Sequence, residues 1–155
     1  MPLLRAALSW NFVLATAICA SLLAQLIKVL LNLFIFHRFI AERMWGAGGM
    51  PSSHSATVCA MVVATGRYCG VNSPIFAIAA VLSIIVMYDA MGVRYETGEQ
   101  AKVLNRMFTE CMDQGFEQIQ LPHGKKLKEM VGHTPIEVVT GAALGIVLGF
   151  AMPMV

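Results

Sequence analysis

Long apolar stretches alternate with short polar segments along this chain, and the alternation predicts a helical bundle. The apolar stretches cover about residues 8–36, 53–68, 74–91 and 132–152. All four are too long for typical strands, and the first exceeds the roughly 20 residues that span the hydrocarbon core of a bilayer. We therefore predict an all-α integral membrane bundle with about four transmembrane helices.

A polar segment separates the third apolar stretch from the fourth, between Tyr95 and Gly132. Apolar residues recur at helical spacing across about residues 99–119, which predicts an amphipathic helix that lies on the membrane surface or over the bundle. A small lysine cluster follows at residues 125–128. Such a cluster is most often a solvated face or a contact with anionic lipid.

Composition supports the membrane class. The chain has 155 residues, of which 57% are hydrophobic and 13% charged, and its mean hydropathy is +0.69. A soluble domain carries about 25% charged residues. The length predicts one membrane-embedded domain over residues 1–155, and the net charge of +2 gives no indication of nucleic-acid binding. The four cysteines form no CxxC pair and are predicted to be buried thiols.

Counting four crossings places one set of polar residues at the same membrane surface. The set consists of Lys28, His54, Asp89, Arg94, His133 and Glu137. Most basic residues fall on this side, and only Arg5 and Arg67 belong to the other side. The positive-inside rule then puts the polar face in the cytoplasm, or in the matrix or stroma of an organelle.

The stretch Gly-Gly-Met-Pro-Ser-Ser-His-Ser-Ala at residues 48–56 lies at the centre of the candidate site. Gly49 lets the backbone approach a ligand closely. Ser52 or Ser53 can cap a helix whose first free amides favour an anion. His54 lies in that first turn and can carry a proton near neutral pH. A tight turn with a surface histidine is the plainer explanation.

The other candidate residues also have structural explanations. Lys28 is costly inside a membrane helix unless it snorkels or faces a polar cavity, and with Gln25 and Asn32 it forms either a seam between helices or part of a site. Asp89 and Arg94 either pair with each other or act in the site. Glu137 fits a capping box with Thr134, with proline at the first helical position.

Taken together, these residue types suit phosphoryl transfer at a membrane surface. Two histidines can act as nucleophile and general acid through a phosphohistidine, and a carboxylate can fix the tautomer of the nucleophile. Cationic side chains and helix-start amides can hold the phosphoryl oxygens. The mechanism needs no metal or other cofactor, and the spacing of His54, Asp89, His133 and Glu137 matches no familiar metal signature.

Four motifs carry a family resemblance. They are residues 48–56, Met-Tyr-Asp-Ala-Met-Gly-Val-Arg at 87–94, Gly-Glu-Gln-Ala-x-x-Leu-Asn at 98–105 and Gly-His-Thr-Pro-Ile-Glu-Val at 132–138. From about residue 24 to residue 149 the chain resembles the divergent branch of the type 2 phosphatidic acid phosphatase and vanadium haloperoxidase superfamily. The resemblance implies that His54 is the general acid, that His133 is the nucleophile and that Lys28 binds phosphate. Glu137 stands where the wider family has aspartate.

Two features of the wider family are absent. No arginine-proline pair follows Lys28 at the usual distance, and no serine-arginine pair precedes His133. We hypothesise that Arg94 supplies the missing cation. The predicted site is therefore catalytic His133, His54 and Glu137, phosphate-binding Lys28, Gly49, Ser52, Ser53 and Arg94, and supporting Asp89.

The resemblance implies a membrane phosphatase that hydrolyses a lipid phosphate monoester or diphosphate through a phosphohistidine. The alternative is a catalytically silent structural or assembly subunit of a larger membrane complex that retains the phosphatase fold. The missing arginine positions and the small size favour the alternative, whereas the joint presence of Lys28, His54, His133 and Glu137 favours the enzyme. Expected partners are a lipid phosphate substrate, membrane lipids, and a second copy or a membrane complex.

Overall fold

The computed structural model describes residues 11–36, 49–113, 127–129 and 132–154. These residues contain five helices and no strand, which confirms the all-α prediction. The helices are α1 (Phe12–Phe36), α2 (Ser53–Cys69), α3 (Pro74–Met91), α4 (Val93–Asp113) and α5 (Pro135–Ala151). The predicted start of the first apolar stretch at residues 8–10, Gly48, the end of the predicted amphipathic helix and Lys125–Lys126 lie outside the described residues.

Local capping signals set the starts of three helices. The Ser52 side chain accepts a hydrogen bond from the Ser55 N–H at the start of α2, and the Ser73 side chain accepts one from the Phe76 N–H at the start of α3. Proline occupies the first turn of α3 and of α5, where a missing N–H costs nothing. Because these signals are local, the predicted bounds of α2 and α3 agree with the structure within one residue.

The amphipathic helix begins earlier than predicted. It starts at Val93 rather than near residue 99, so a single residue, Gly92, separates it from α3. Ala101 and Asn105 on this helix are buried, whereas Val103 and Met107 are exposed. The polar run of residues 94–99 hides the helical periodicity. The buried residues of α4 are small or polar, namely Gly98, Ala101 and Asn105, so no apolar repeat marks the start of the helix.

Helix α2 is the centre of the bundle. It packs most extensively against α5, and also against α1 and α3. A side-chain carbon at Gly141 would lie 2.3 Å from the Ser52 carbonyl oxygen, and one at Gly145 would lie 2.3 Å from the Ala56 carbonyl oxygen. The backbones of α2 and α5 are therefore in direct contact, which only glycine allows.

Two stretches are long and apolar enough to span a membrane, Phe12–Phe34 and one within Pro74–Glu110. They correspond to α1 and α3. Helices α2 and α5 have 17 residues each, which gives each of them a length of about 25 Å at about 1.5 Å per residue. That length is shorter than a typical hydrocarbon core of about 30 Å. The crossing of α2 and α5 therefore stays a prediction.

Arg67 ties the bundle together at the far end of α2 from His54. Its Nη1 donates hydrogen bonds to the carbonyl oxygens of Gly149 and Met152, at 2.6 and 2.7 Å. The guanidinium carbon also lies 5.5 Å from the centre of the Phe12 ring. A cation at these positions satisfies the free carbonyls at the end of α5 and complements its dipole.

Candidate active site

His133 is buried immediately before α5 and is held by Glu137. The ring is 2% exposed, and its Nδ1 lies 3.0 Å from Glu137 Oε2. The same carboxylate oxygen accepts a hydrogen bond from the Thr134 N–H at 3.2 Å. The predicted helix-capping role of Glu137 is therefore confirmed, and the carboxylate contacts the predicted nucleophile at the same time.

The contact with Glu137 determines which ring nitrogen of His133 is free. A carboxylate accepts hydrogen bonds, so Nδ1 carries the proton and Nε2 keeps its lone pair. Nε2 is buried and has no hydrogen-bond partner among the described residues. Buried polar atoms normally have a partner, so Nε2 needs a bound group, such as a water molecule or a substrate, to complete its hydrogen bonding.

The electrostatic environment of His133 favours its neutral form. Burial lowers the pKa of His133 below the ordinary value of 6.5, and the charges of Lys28 and Arg94 lower it further. The hydrogen bond and the negative charge of Glu137 act in the opposite direction, but burial is the largest cause. The ring is therefore neutral at pH 7, as a nucleophilic nitrogen must be.

A small cavity brings His133 together with three other predicted site residues. Its walls are His54, Val86, Asp89, Ala90, Arg94 and His133. The ring centres of His54 and His133 are 6.1 Å apart, so a small group can contact both. The cavity measures about 20 Å³, which is room for a single water rather than for a phosphoryl group.

The residues where α3 meets α4 form one wall of this cavity, and they also contact the backbone of Gly132 and His133. The His133 N–H donates to the Ala90 carbonyl oxygen at 3.1 Å. A side-chain carbon at Gly132 would lie 2.3 Å from backbone atoms of Tyr95. This close approach explains why glycine precedes the histidine.

Asp89 and Arg94 form an ion pair at the same corner. Arg94 Nε lies 2.6 Å from Asp89 Oδ2, and the two side chains are 49% and 39% exposed. The structural explanation for this pair is thus confirmed, but both residues also line the cavity. Because the bond uses Nε, the two Nη groups of Arg94 remain available to a second acceptor.

Lys28 does not line this cavity. Its side chain is buried in α1, and its stem lies 3.5 Å from where a side-chain carbon at Gly49 would stand. Gly49 has a φ of +87°, which favours glycine. The positive charge of Lys28 acts on the Glu137 carboxylate. Phosphate binding by Lys28 and Gly49 stays a prediction.

Ser52 and Ser53 are buried, and their hydroxyls have partners inside the bundle. Ser52 Oγ accepts from the Ser55 hydroxyl at 3.1 Å, and Ser53 Oγ accepts from Gln25 Nε2 at 3.4 Å. Gln25 thus makes a polar contact between α1 and α2, which is one of the two explanations given above for the polar face of α1. Phosphate binding by the two serines stays untested, since neither lines the cavity beside His133.

Two features that stabilise this site were not predicted from the sequence. The first is the run Gly141-x-x-x-Gly145-x-x-x-Gly149, a spacing typical of closely packed membrane helices and visible in the sequence. The second is Asn105, which bonds to the backbone of Leu127. No local pattern reveals that contact. Within the described ranges, no three His, Cys, Asp or Glu side chains come together as metal ligands.

The described chain is thus a helical membrane bundle with a histidine–carboxylate pair beside a second histidine. The protein belongs to the divergent PAP2 family, which matches residues 9–148 and confirms the resemblance seen in the motifs. It is 38% identical to the "Uncharacterized membrane protein YuiD" of Bacillus subtilis (strain 168) over 144 residues, or 89% of this chain and 91% of that protein. No solved structure matches the chain significantly.

Proposed function

We propose that this protein hydrolyses a phosphate monoester or diphosphate of a membrane lipid through a phosphohistidine on His133. One observation carries the proposal. His133 lines a cavity shared with His54 and Arg94, Glu137 occupies its Nδ1, and its buried Nε2 has no partner among the described residues. A nucleophile requires a lone pair that can reach the substrate, and His133, in the wall of this cavity, supplies one at Nε2.

In the first step, Nε2 of His133 attacks phosphorus, a P–N bond forms and the P–O bond to the lipid breaks. His54 in its protonated form gives a proton to the departing oxygen. The positive charge that develops on the His133 ring is stabilised by Glu137 at 3.0 Å. The Nη groups of Arg94 stabilise the phosphoryl oxygens.

In the second step, a water molecule attacks the phosphohistidine. His54, now neutral, takes the proton of this water, the P–N bond breaks and inorganic phosphate leaves. Nε2 regains its lone pair and His54 is protonated again, so the cycle is balanced. His54 can exchange this proton with water because its side chain is exposed, whereas that of His133 is buried.

The lipid assignment rests on the surroundings of the cavity. Val86 and Ala90 belong to α3, a candidate membrane span whose outer side chains, such as Ile84 and Ile85, are exposed. A lipid chain lying along α3 would bring its phosphate to the cavity. The side chains of His54 and Arg94 are exposed and can move outward to admit it. We further propose that this face lies on the cytoplasmic, matrix or stromal side.

The test uses phosphate release from a panel of lipid phosphates by the purified protein in lipid nanodiscs. His133→Asn keeps an amide N–H near the position of Nδ1, toward Glu137, and removes Nε2. His133→Gln places its amide nearer to Nε2 and weakens the contact with Glu137. We expect wild-type release to be blocked by vanadate and abolished in both variants. An acid-labile phosphoryl label, trapped on the wild-type protein, should be missing from His133→Asn.

Absence of release from every lipid, with both variants as stable as the wild type, would refute the enzyme. A catalytically silent assembly subunit would then be the better-supported function. Release that survives His133→Asn would instead refute the phosphohistidine while leaving hydrolysis in place. The two results are distinguishable because the label and the released phosphate are measured separately.

A further inference from the structure

The side chain of Asn105 on α4 holds the backbone of Leu127, 22 positions further along the chain. Asn105 Oδ1 accepts from the Leu127 N–H at 2.9 Å, and Asn105 Nδ2 donates to the Leu127 carbonyl oxygen at 2.9 Å. Nδ2 also donates to Glu129 Oε1 at 2.8 Å. Asn105 is 5% exposed. The two bonds to Leu127 engage both of its backbone polar groups, and the third holds the Glu129 side chain.

The same face of α4 continues toward the cavity. Gly98 and Ala101 are buried on it, at helical spacing from Asn105. Further along, Gly132 contacts the backbone of Tyr95, and the His133 N–H bonds to Ala90. Leu127, Gly132 and His133 are thus each held against α3 or α4.

We propose that Asn105 is a positioning residue for His133. By holding residues 127–129 on α4, it fixes the chain from which His133 projects into the cavity. This role accounts for the motif at residues 98–105, none of whose side chains lines the cavity. The consequence for turnover rests on the proposed function, whereas the consequence for hydrogen exchange at residues 127–129, 132 and 133 does not.

The expected effect on turnover is on kcat rather than on KM. Asn105 does not line the cavity, so binding of the phosphate should be little changed. A misplacement of a reacting group by about 1 Å costs about 100-fold in rate. We therefore expect Asn105→Ala to lower kcat by about tenfold or more, with KM within about twofold of the wild type.

Four variants separate positioning from general damage. Asn105→Ala removes all three bonds, and Asn105→Asp keeps the acceptor for Leu127 N–H but opposes the Glu129 carboxylate. Adding Glu129→Gln to Asn105→Asp restores a donor for the new carboxylate. Asn72→Ala, an exposed asparagine in the turn between α2 and α3, is the matched control. Each variant is compared with wild type by hydrogen–deuterium exchange, unfolding midpoint and phosphate release in nanodiscs.

The proposal expects faster exchange at residues 127–129, 132 and 133 in Asn105→Ala and Asn105→Asp than in Asn72→Ala. It also expects lower kcat in both variants. Adding Glu129→Gln to Asn105→Asp should restore part of the lost kcat and part of the lost protection from exchange. Unchanged exchange in Asn105→Ala overturns the proposal, as does faster exchange with an unchanged kcat. If the wild type releases no phosphate at all, the proposed function fails. The exchange and its restoration by Glu129→Gln then decide whether Asn105 positions this segment.

Discussion

The backbone contact between α2 and α5 can be tested with one methyl group, in Gly145→Ala. In a helix, alanine is more favourable than glycine by about 0.8–1 kcal/mol. The structure predicts the opposite sign. The new carbon would lie 2.3 Å from the Ala56 carbonyl oxygen and 3.0 Å from the Ala56 carbonyl carbon. Close carbon–oxygen contacts between helices are about 3.3–3.6 Å, so the two helices must separate by about 1 Å.

The cost of that separation follows from overpacking. Added methylene groups in packed cores cost about 1–3 kcal/mol. The upper end applies here because the obstacle is a backbone carbonyl, which cannot rotate aside as a side chain can. Subtracting the gain of about 1 kcal/mol in helix propensity leaves a net loss of about 2 kcal/mol in the free energy of unfolding.

Equilibrium unfolding in mixed micelles measures this loss. Ala143→Gly is the control, because Ala143 is exposed on the same helix and should show only the propensity cost of about 1 kcal/mol. Gly145→Ala should be less stable than the wild type even though its propensity change is favourable. A neutral or stabilising Gly145→Ala would refute direct contact of the two backbones.

Three further expectations follow from the site and its far end. Asp89→Asn should change the free energy of unfolding by less than about 1 kcal/mol, because the pair with Arg94 is half exposed. In a vanadate titration it should weaken inhibition several-fold, and an unchanged affinity would contradict the role of Asp89 in holding Arg94. Because the pKa of His133 in the substrate-free protein lies below 6.5, the acid limb of kcat/KM should lie below pH 6.5, and an acid limb above 6.5 would contradict this assignment. As the pH falls, His133 binds a proton in the unfolded protein before it does so in the folded protein. Its contribution to the free energy of unfolding is therefore complete above about pH 6.5 and is lost as the pH falls toward the folded pKa. Unfolding of the wild type and of His133→Asn across pH measures this contribution. Arg67→Ala should lose about 2 kcal/mol of stability with its charged bonds to α5, but keep the phosphate release per folded molecule, since the site is at the other end.

Local signals made much of this fold predictable. Ser52, the Ser73-Pro74 pair and the Thr134-Pro135 pair mark helix starts without reference to the rest of the chain. Counting crossings then put His54 and His133 on one face, and the structure brings them to one cavity. Chain topology alone therefore predicts which residues share an end of the bundle.

Contacts between distant residues were less predictable. The bond from Asn105 to Leu127 is a pairing across 22 positions that no periodicity reveals. Lys28 was assigned by resemblance, and the resemblance specifies a residue type but not its neighbours. In the structure, the Lys28 stem lies beside Gly49 and its charge acts on Glu137.

The close backbone contact between α2 and α5 also positions the candidate site. Ser52 is the N-cap of α2, two residues before His54, and its N–H donates to the Glu137 carbonyl oxygen at 3.0 Å. Gly141, one turn after Glu137, is the point where a methyl group would meet the Ser52 carbonyl. The glycine contact thus sets how closely the starts of α2 and α5 approach, and with them His54 and His133. A silent scaffold would need this packing for stability alone. An enzyme also needs this packing to set the distance between His54 and His133. We therefore expect Gly141→Ala to lower phosphate release per folded molecule, beyond the loss that follows from a smaller folded fraction.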